Sequence, residues 1–452
     1  MVKENLPLSK QIAYSLGNTG KSMLSGIIGT YLIYFYIPTT QSKIGLFIPQ
    51  YSFLGLFTVM GIITMVGKLF DAFTDPWVAS LSDRCRSSMG RRIPFMRWSA
   101  FPYALFTVLV FCCPIGGENK INVVYLTVAL FLCCLFSTMY STPYNTLLCE
   151  LAYTSGEKIN LSTFSSIAWV IGYAAVSLAP SLWRQITYLG VGKTLAVRIS
   201  FGLIAFGGLV CLMVPVMAID ERHYCEARPS SQKTLASVRA ALSNREFRSF
   251  VFSNLFYMMA NGIFQSSLLY YITVLLRRGE ETLGKILIWG GIWSFLFYYP
   301  VTILAKRHGK RKLLEAAFCI YMFLYIYGFF LGKLPLSIKV QGIIMVLLVS
   351  PALAIFGILP NAVAADIAQY DVELSGKKRE GAFFGTRTLI TKLGNVLYTF
   401  MLSGLLLIKR NGSSELGIRL TFVASALFSL LGLVFIRLYD EKKVLQLLEK
   451  RE

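Results

Sequence analysis

The sequence predicts an all-α membrane protein with twelve transmembrane helices arranged in two six-helix halves. Three observations lead there. Of the 452 residues, 55% are hydrophobic and 15% charged, with a mean hydropathy of +0.60. A soluble chain carries about 25% charged residues, so this one lacks the polar surface to cover itself in water, and a soluble enzyme is excluded. Apolar runs of about 20 residues, the length that crosses ~30 Å of hydrocarbon, recur along the whole chain between short polar breaks. The basic residues behind the net charge of +21 sit in small clusters between those runs. That pattern encodes membrane topology and not a nucleic-acid surface, so the expected partners are the lipid bilayer and a small molecule, with no nucleic acid.

In chain order the spans fall near 12–37, 50–80, 97–116, 121–148, 161–183, 195–219, 249–275, 284–304, 313–332, 338–368, 382–408 and 417–438. Their even number puts both termini on one side. The termini and loops of that side hold 27 of the 44 Lys and Arg residues, the opposite loops hold 13, and four lie inside spans. Basic loops stay in the cytoplasm, so both termini are expected there, in a multi-pass protein of the cell inner (plasma) membrane. The polar start, Met1 to Lys10, shows no small-residue cleavage site, and no removable signal peptide is expected.

The longest polar stretch divides the spans six and six. The expected parts are an N-terminal half, 1–219, a central cytoplasmic loop, 220–248, a C-terminal half, 249–438, and a cytoplasmic tail, 439–452. Lys233 to Arg248 is read as one amphipathic helix on the membrane surface. A weak internal repeat relates the halves: the fourth span ends in Pro143 to Glu150 and the tenth in Pro360 to Asp366, and basic loops follow spans two and eight. Duplicated halves suit a rocking carrier. The nine cysteines are an odd number, mostly inside apolar runs, and read as small core residues. Aromatics such as Tyr31, Tyr34, Phe35 and Tyr36 suit lipid-facing or interfacial positions.

Charges inside the spans point to function. An ionisable group at mid-span costs roughly 2.5–3.5 kcal/mol, so it needs a partner or a wet cavity. The second span holds Lys68-Leu-Phe-Asp71-Ala-Phe-Thr74-Asp75-Pro76. Asp71 and Asp75, at i and i+4, share one face, Thr74 sits beside them, and Pro76 frees a backbone carbonyl one turn earlier. Two carboxylates with neutral oxygens suit Na⁺ or H⁺. The alternative is that Lys68 neutralises Asp71 while Asp75 lies near the cytoplasmic end. In the first span, Lys21 has three options: pairing with a carboxylate of the second span, facing a solute, or snorkelling to the interface. In the eleventh, one of Arg387 and Lys392 is expected to pair with Asp366 or Glu380 while the other faces the cavity. The loop from Asp83 to Pro94, with Arg91 and Arg92, reads either as ion pairs that break as the halves rock or as ordinary positive-inside charge.

The run from Lys68 to Pro76, followed by Gly90-Arg91-Arg92-Ile-Pro-Phe95, resembles the glycoside–pentoside–hexuronide:cation symporter family of the major facilitator superfamily. Further matches are Gly17-x-x-Gly20-Lys21, Thr138-x-x-x-x-Pro143, and Ala365-Asp366-Ile-x-x-Tyr370 leading to Glu380 and Lys392. The resemblance spans nearly the full chain and implies the major facilitator fold and Na⁺- or H⁺-coupled symport by alternating access, with no cofactor beyond the coupling ion. Carried over by position, it implies a cation site on Asp71, Thr74, Asp75 and Thr138, with Lys392 nearby and Asp71 and Asp75 as the Na⁺ ligands. Thr74 stands where the type member, melibiose permease, has asparagine.

On the substrate side the sequence departs from the family pattern. Ser22 and Ser141 stand where carboxylates are expected, Asn145 and Gly357 where tryptophans are, and Ser166 where an arginine is. Arg387 replaces an uncharged glutamine. With Lys21, Arg387 and Lys392 present and carboxylates lost, the expected solute is sugar- or glycoside-like and anionic, such as a hexuronide. The family's lysophospholipid symporters keep an amphiphile open, and an uncoupled facilitator or exchanger is the other alternative. Both histidines, His223 and His308, fall in cytoplasmic loops, so no intramembrane catalytic site is expected. The chain is expected to work as a monomer.

Overall fold

Long helices follow one another along nearly the whole chain, as the apolar runs predict. The computed structural model describes residues 6–39, 42, 44–53, 57–85, 87–151, 155–224, 234–375, 380–408 and 415–449. Two units form: Met1–Ser230 with Gly279–Gly284, and Ser231–Arg278 with Lys285–Glu452. Eight helical stretches among the described residues are long and apolar enough to cross a membrane. The other four predicted spans coincide with helices that are short, or that carry polar side chains in mid-helix.

The first unit contains α1 (Leu8–Tyr36), a hairpin of β1 (Ser52–Phe53) and β2 (Phe57–Thr58), α2 (Val59–Arg84), α3 (Ile93–Leu109), α4 (Lys120–Leu151), α5 (Ser155–Ser177), α6 (Ala179–Tyr188), α7 (Lys193–Ala218) and the short α8 (Glu221–Tyr224). Small residues let α1 lie close to both α5 and α7. A Cβ at Gly20 would overlap the Gly208 carbonyl of α7, and one at Gly172 would overlap Ser22 Oγ.

Three expectations change here. The second span begins at Val59 and not near residue 50, because Ser52–Phe53 and Phe57–Thr58 pair antiparallel and Thr58 caps the helix by accepting from the Gly61 N–H at 2.9 Å. The fifth span breaks at Leu178, with Pro180 in the first turn of α6. Tyr31, Tyr34, Phe35 and Tyr36 are buried, not lipid-facing. Each hydroxyl finds an acceptor inside the unit: Tyr31 the Val176 carbonyl, Tyr34 Glu280, and Tyr36 the Val110 carbonyl. Phe35 stacks on Phe47.

The second unit contains α9 (Thr234–Ser243), α10 (Arg245–Tyr270) with a π-turn at Tyr271–Leu275, α11 (Thr282–His308, its first residues in the other unit), α12 (Lys310–Phe329), α13 (Ile338–Ser375), α14 (Glu380–Leu407), α15 (Leu416–Arg437) and α16 (Glu441–Glu449). The single helix expected over Lys233 to Arg248 is two. Asn244 caps α10 by accepting from the N–H groups of Glu246 and Phe247 at 3.1 and 3.2 Å, which ends α9 just before it. Residue 233 lies outside the described residues. Of the cysteines, Cys113 and Cys133 are buried as expected, whereas Cys319 is exposed on the apolar surface.

Candidate functional site

The turn of α2 that carries the paired carboxylates has two unlike faces. Phe73 and Trp77 point outward, 78% and 59% exposed, a bare aromatic surface suited to lipid. Thr74 is buried, and Asp71 and Asp75 are half-buried on the side towards α4. Thr138 Oγ1 donates to Asp71 Oδ1 at 2.6 Å, and one turn on Thr142 Oγ1 lies 3.4 Å from Asp75 Oδ1. Thr74 turns back to the Asp71 carbonyl at 3.1 Å. The structure therefore brings Asp71, Thr74, Asp75 and Thr138 together and adds Thr142, which the sequence reading missed. Its spacing, i+4 from Thr138, matches that of the two aspartates and was the available signal. Among the described residues no group of three or more His, Cys, Asp or Glu side chains has metal-binding geometry. The chemistry on offer is two carboxylates with hydroxyl oxygens, a hard donor set for Na⁺ or a proton.

Lys21 is placed by tyrosines. Tyr14 and Tyr144 stack at 4.4 Å and each donates its hydroxyl to the other's carbonyl, at 2.6 and 2.8 Å. This locks α1 against α4. Gly17 leaves room for Tyr140 and Tyr144, and Lys21, two turns beyond Tyr14 on the same face, lies over the Tyr144 ring at 5.1 Å and donates to Asn145 Oδ1 at 3.0 Å. Of the three options for Lys21, the bond is to an amide and not to a carboxylate of α2. Ser141 is half-buried on the α4 face that carries Thr138 and Asn145. Ser166 is exposed on α5 and bonds within its own helix. Ser22 is fully buried in the α1–α5 seam, its hydroxyl donating to the Thr19 carbonyl.

In the second unit, Arg387 donates to Asn361 Oδ1 at 2.8 Å and to the Pro360 carbonyl at 3.3 Å. Its guanidinium lies 5.9 Å from the Phe250 ring centre. Of the two expected partners for Arg387 or Lys392, Asp366 makes an ion pair with Lys310. Lys310 is the first residue of α12. Lys392 is half-buried on α14. The Glu380 side chain lies outside the described residues.

Arg91 and Arg92 converge on Glu150, with Asp83 beside Arg92, and among the described residues the partners of all three lie in the first unit. Arg92 is buried and contacts Asp83 at 2.5 Å, Glu150 at 3.0 Å and Ser82 Oγ at 2.5 Å; Arg91 reaches Glu150 at 3.4 Å. Burial works against the Arg92 charge, but the bonds and attraction of Glu150 and then Asp83 outweigh it and hold the guanidinium above its ordinary pKa. Glu221, which the sequence reading left in the central loop, closes the cluster. Its carboxylate accepts from the N–H groups of Arg91, Arg92 and Ile93 at 2.7, 2.7 and 3.0 Å, capping α3 with negative charge at a helix start. Gly90 (φ +105°) makes room, since a Cβ there would overlap that carboxylate.

The second unit repeats the pattern. Glu441 accepts from the N–H groups of Lys310 and Arg311 at 2.6 and 2.9 Å, beside Gly309 with φ +89°. The signal was an Asp-Glu pair directly after the sixth and twelfth spans, Asp220-Glu221 and Asp440-Glu441.

A further buried carboxylate, Glu280, accepts from Tyr34 at 2.7 Å, Trp183 Nε1 at 2.8 Å and Lys193 at 2.5 Å. Sequence reading gave it no role, because it stands in a short polar break among charged neighbours.

Comparison with known proteins bears on the family and the fold. The family model for MFS/sugar transport proteins matches residues 13–440. The chain is 23% identical to an uncharacterized symporter, YnaJ, of Bacillus subtilis, over 100% of this chain and 97% of that one. It is 21% identical to the isoprimeverose transporter of Lactiplantibacillus pentosus, over 69% and 62% of the two chains. Among solved structures, the nucleoside transporter NupG superposes with a TM-score of 0.66 at 12% identity, covering 96% of this chain and 100% of that one.

Proposed function

The chain belongs to the MFS/sugar transport protein family, and from that premise we propose that this multi-pass membrane transporter is a cation-coupled symporter working by alternating access. The twelve spans are α1 to α7, with α5 and α6 as one, and α10 to α15. They form halves at 1–219 and 249–438, joined by a cytoplasmic segment at 220–248 and followed by a tail at 439–452. Both termini are cytoplasmic, the membrane is the inner (plasma) membrane, and the monomer is the working form. The repeated Glu221 and Glu441 caps support two related halves.

The observation that carries the coupling is the α2 turn whose two carboxylates both face α4 hydroxyls, Asp71 with Thr138 and Asp75 with Thr142. Na⁺ or H⁺ binding there neutralises charge that otherwise resists burial and adds free energy to the state that binds solute. Thr74 and Thr138 supply neutral oxygens. Coupling requires that each ligand tighten the other by the same factor.

The solute is sugar- or glycoside-like and anionic. Lys21 and Arg387 hydrogen-bond to amide or carbonyl oxygens, and among the described residues neither pairs with a carboxylate. Two such cations favour an anion, which a hexuronide supplies. Within the first unit, Asn145, Ser141 and Ser166 are the candidate solute contacts beside Lys21, while Ser22 serves the α1–α5 seam. Asp83, Arg91 and Arg92 act as a brace within their unit. The test is uptake into proteoliposomes of glucuronate, a phenyl glucuronide, methyl glucoside and lysophosphatidylcholine under imposed Na⁺ or pH gradients. Gradient-driven uptake of the glucuronate class supports the reading; equal uptake of neutral and anionic sugars removes its anionic part, and indifference to both gradients removes coupling.

A further inference from the structure

In the second unit, the side-chain oxygens of Asn254, Asn261 and Gln265 on α10 are buried without a hydrogen-bond partner. They stand at i, i+7 and i+11, one stripe of the helix, and run about 16 Å along its axis. Buried polar atoms left unpaired call for a reason; a fourth on α10, Ser267 Oγ, stands on the opposite face and apart from the stripe. The seam between α10 and α15 shows how this unit treats structural polar groups: Ser253 donates to the Gly432 carbonyl at 2.9 Å and Ser425 to the Ala260 carbonyl at 3.2 Å. Those two bonds are closed, while Ser429 Oγ of α15 and Ser267 Oγ of α10 are left open as single groups; the three amide oxygens are the open groups that share one stripe.

The stripe also leads to Arg387. Phe250, one turn before Asn254, lies beside that guanidinium. Asn254 Nδ2 donates to Thr391 Oγ1 at 3.4 Å, and Thr391 stands one turn after Arg387 on α14. The amides are thus continuous with a cation that has no carboxylate partner among the described residues.

We infer that Asn254, Asn261 and Gln265 form a hydroxyl-reading stripe for the polyhydroxylated part of the solute, with Arg387 at the end that takes its anionic group. A primary amide offers a donor and an acceptor, and a sugar hydroxyl does the same, so the two match without a net charge. An acyl chain would gain nothing from such a stripe. The inference rests on the symport reading above and deepens it by naming residues of the second unit.

The test uses purified full-length protein and measures binding of phenyl glucuronide, methyl glucoside and lysophosphatidylcholine by calorimetry, with melting temperature in parallel. Asn261→Leu and Gln265→Leu keep the side chain's bulk and remove its polarity. Each is expected to weaken phenyl glucuronide binding about tenfold, the value of a lost hydrogen bond, while the melting temperature holds or rises. Ser425→Ala, in the closed seam, is expected to leave binding unchanged. Should a leucine variant fail to fold, Asn261→Ser and Gln265→Asn shorten the reach and are expected to weaken binding in the same way. Unchanged affinity in the folded variants overturns the inference and leaves the symport reading standing. Wild-type protein that binds lysophosphatidylcholine alone, or neither sugar, overturns the inference together with the sugar-class solute, while coupling is decided by the gradient dependence of uptake.

Discussion

Thr138 donates its hydroxyl to Asp71 at 2.6 Å, joining α4 to α2 at the turn that also holds Asp75. A hydroxyl is well suited there, since its oxygen can serve a cation while its hydrogen serves a carboxylate. Thr138→Val keeps the shape and removes both functions. A hydrogen bond to a charged group is worth about 1.5–3 kcal/mol, so the variant is expected to need roughly tenfold more cation for half-maximal activation of uptake. Thr138→Ser is expected to stay near wild type.

The Glu221 cap gives a stability prediction. Glu221→Ala leaves three N–H groups of the α3 start without their acceptor and is expected to cost roughly 2–3 kcal/mol. Gly90→Ala strains a left-handed backbone and meets the same carboxylate, at about 1–3 kcal/mol. Both are read as a lower melting temperature of the purified protein. Glu441→Ala is expected to act similarly at the α12 start, through Lys310 and Arg311.

Glu280 holds three donors at once, and their loss differs by variant. Glu280→Gln keeps an acceptor but leaves the Lys193 charge unmatched, whereas Glu280→Ala also strands Tyr34 and Trp183. The alanine variant is expected to lose about 1–3 kcal/mol and the glutamine variant less. Equal melting temperatures for wild type and Glu280→Ala would contradict the bonding described here.

Lys21 and Arg387 are expected to set charge preference. Arg387→Gln removes the cation and keeps a donor, so it is expected to weaken glucuronide binding about tenfold or more with little change for methyl glucoside. Lys21→Ala is expected to act in the same direction. Equal losses for both solutes would assign the two cations to folding.

Much of this architecture is legible in the sequence, for reasons that particular residues make clear. Spans such as those on α4, α7 and α13 are uniformly apolar, and length alone defines them. The start of α2 was not legible, because a short apolar hairpin and a helix end look alike in hydropathy. The break at Asn244 was not read either, since a capping residue inside a polar stretch resembles any other loop asparagine. Asp71 and Asp75 stood out because charge is costly in a span. Glu221 and Glu441 did not, because a carboxylate in a basic loop looks solvated until its three-dimensional partners, here backbone N–H groups, are known. The tyrosines of α1 misled for a related reason: their amphipathic rings suit an interface, but each hydroxyl found an internal carbonyl or carboxylate.

The most direct test of the account is the cation dependence of solute affinity in purified protein. Phenyl glucuronide binding would be measured by calorimetry with and without Na⁺ and across pH, in wild type, Asp71→Asn and Asp75→Asn. Reciprocal coupling of typical size predicts that the cation tightens wild-type binding about 5- to 150-fold. Both variants should still bind the glucuronide with affinity that no longer responds to the cation. Affinity that responds equally in all three proteins would contradict a coupling site at Asp71 and Asp75.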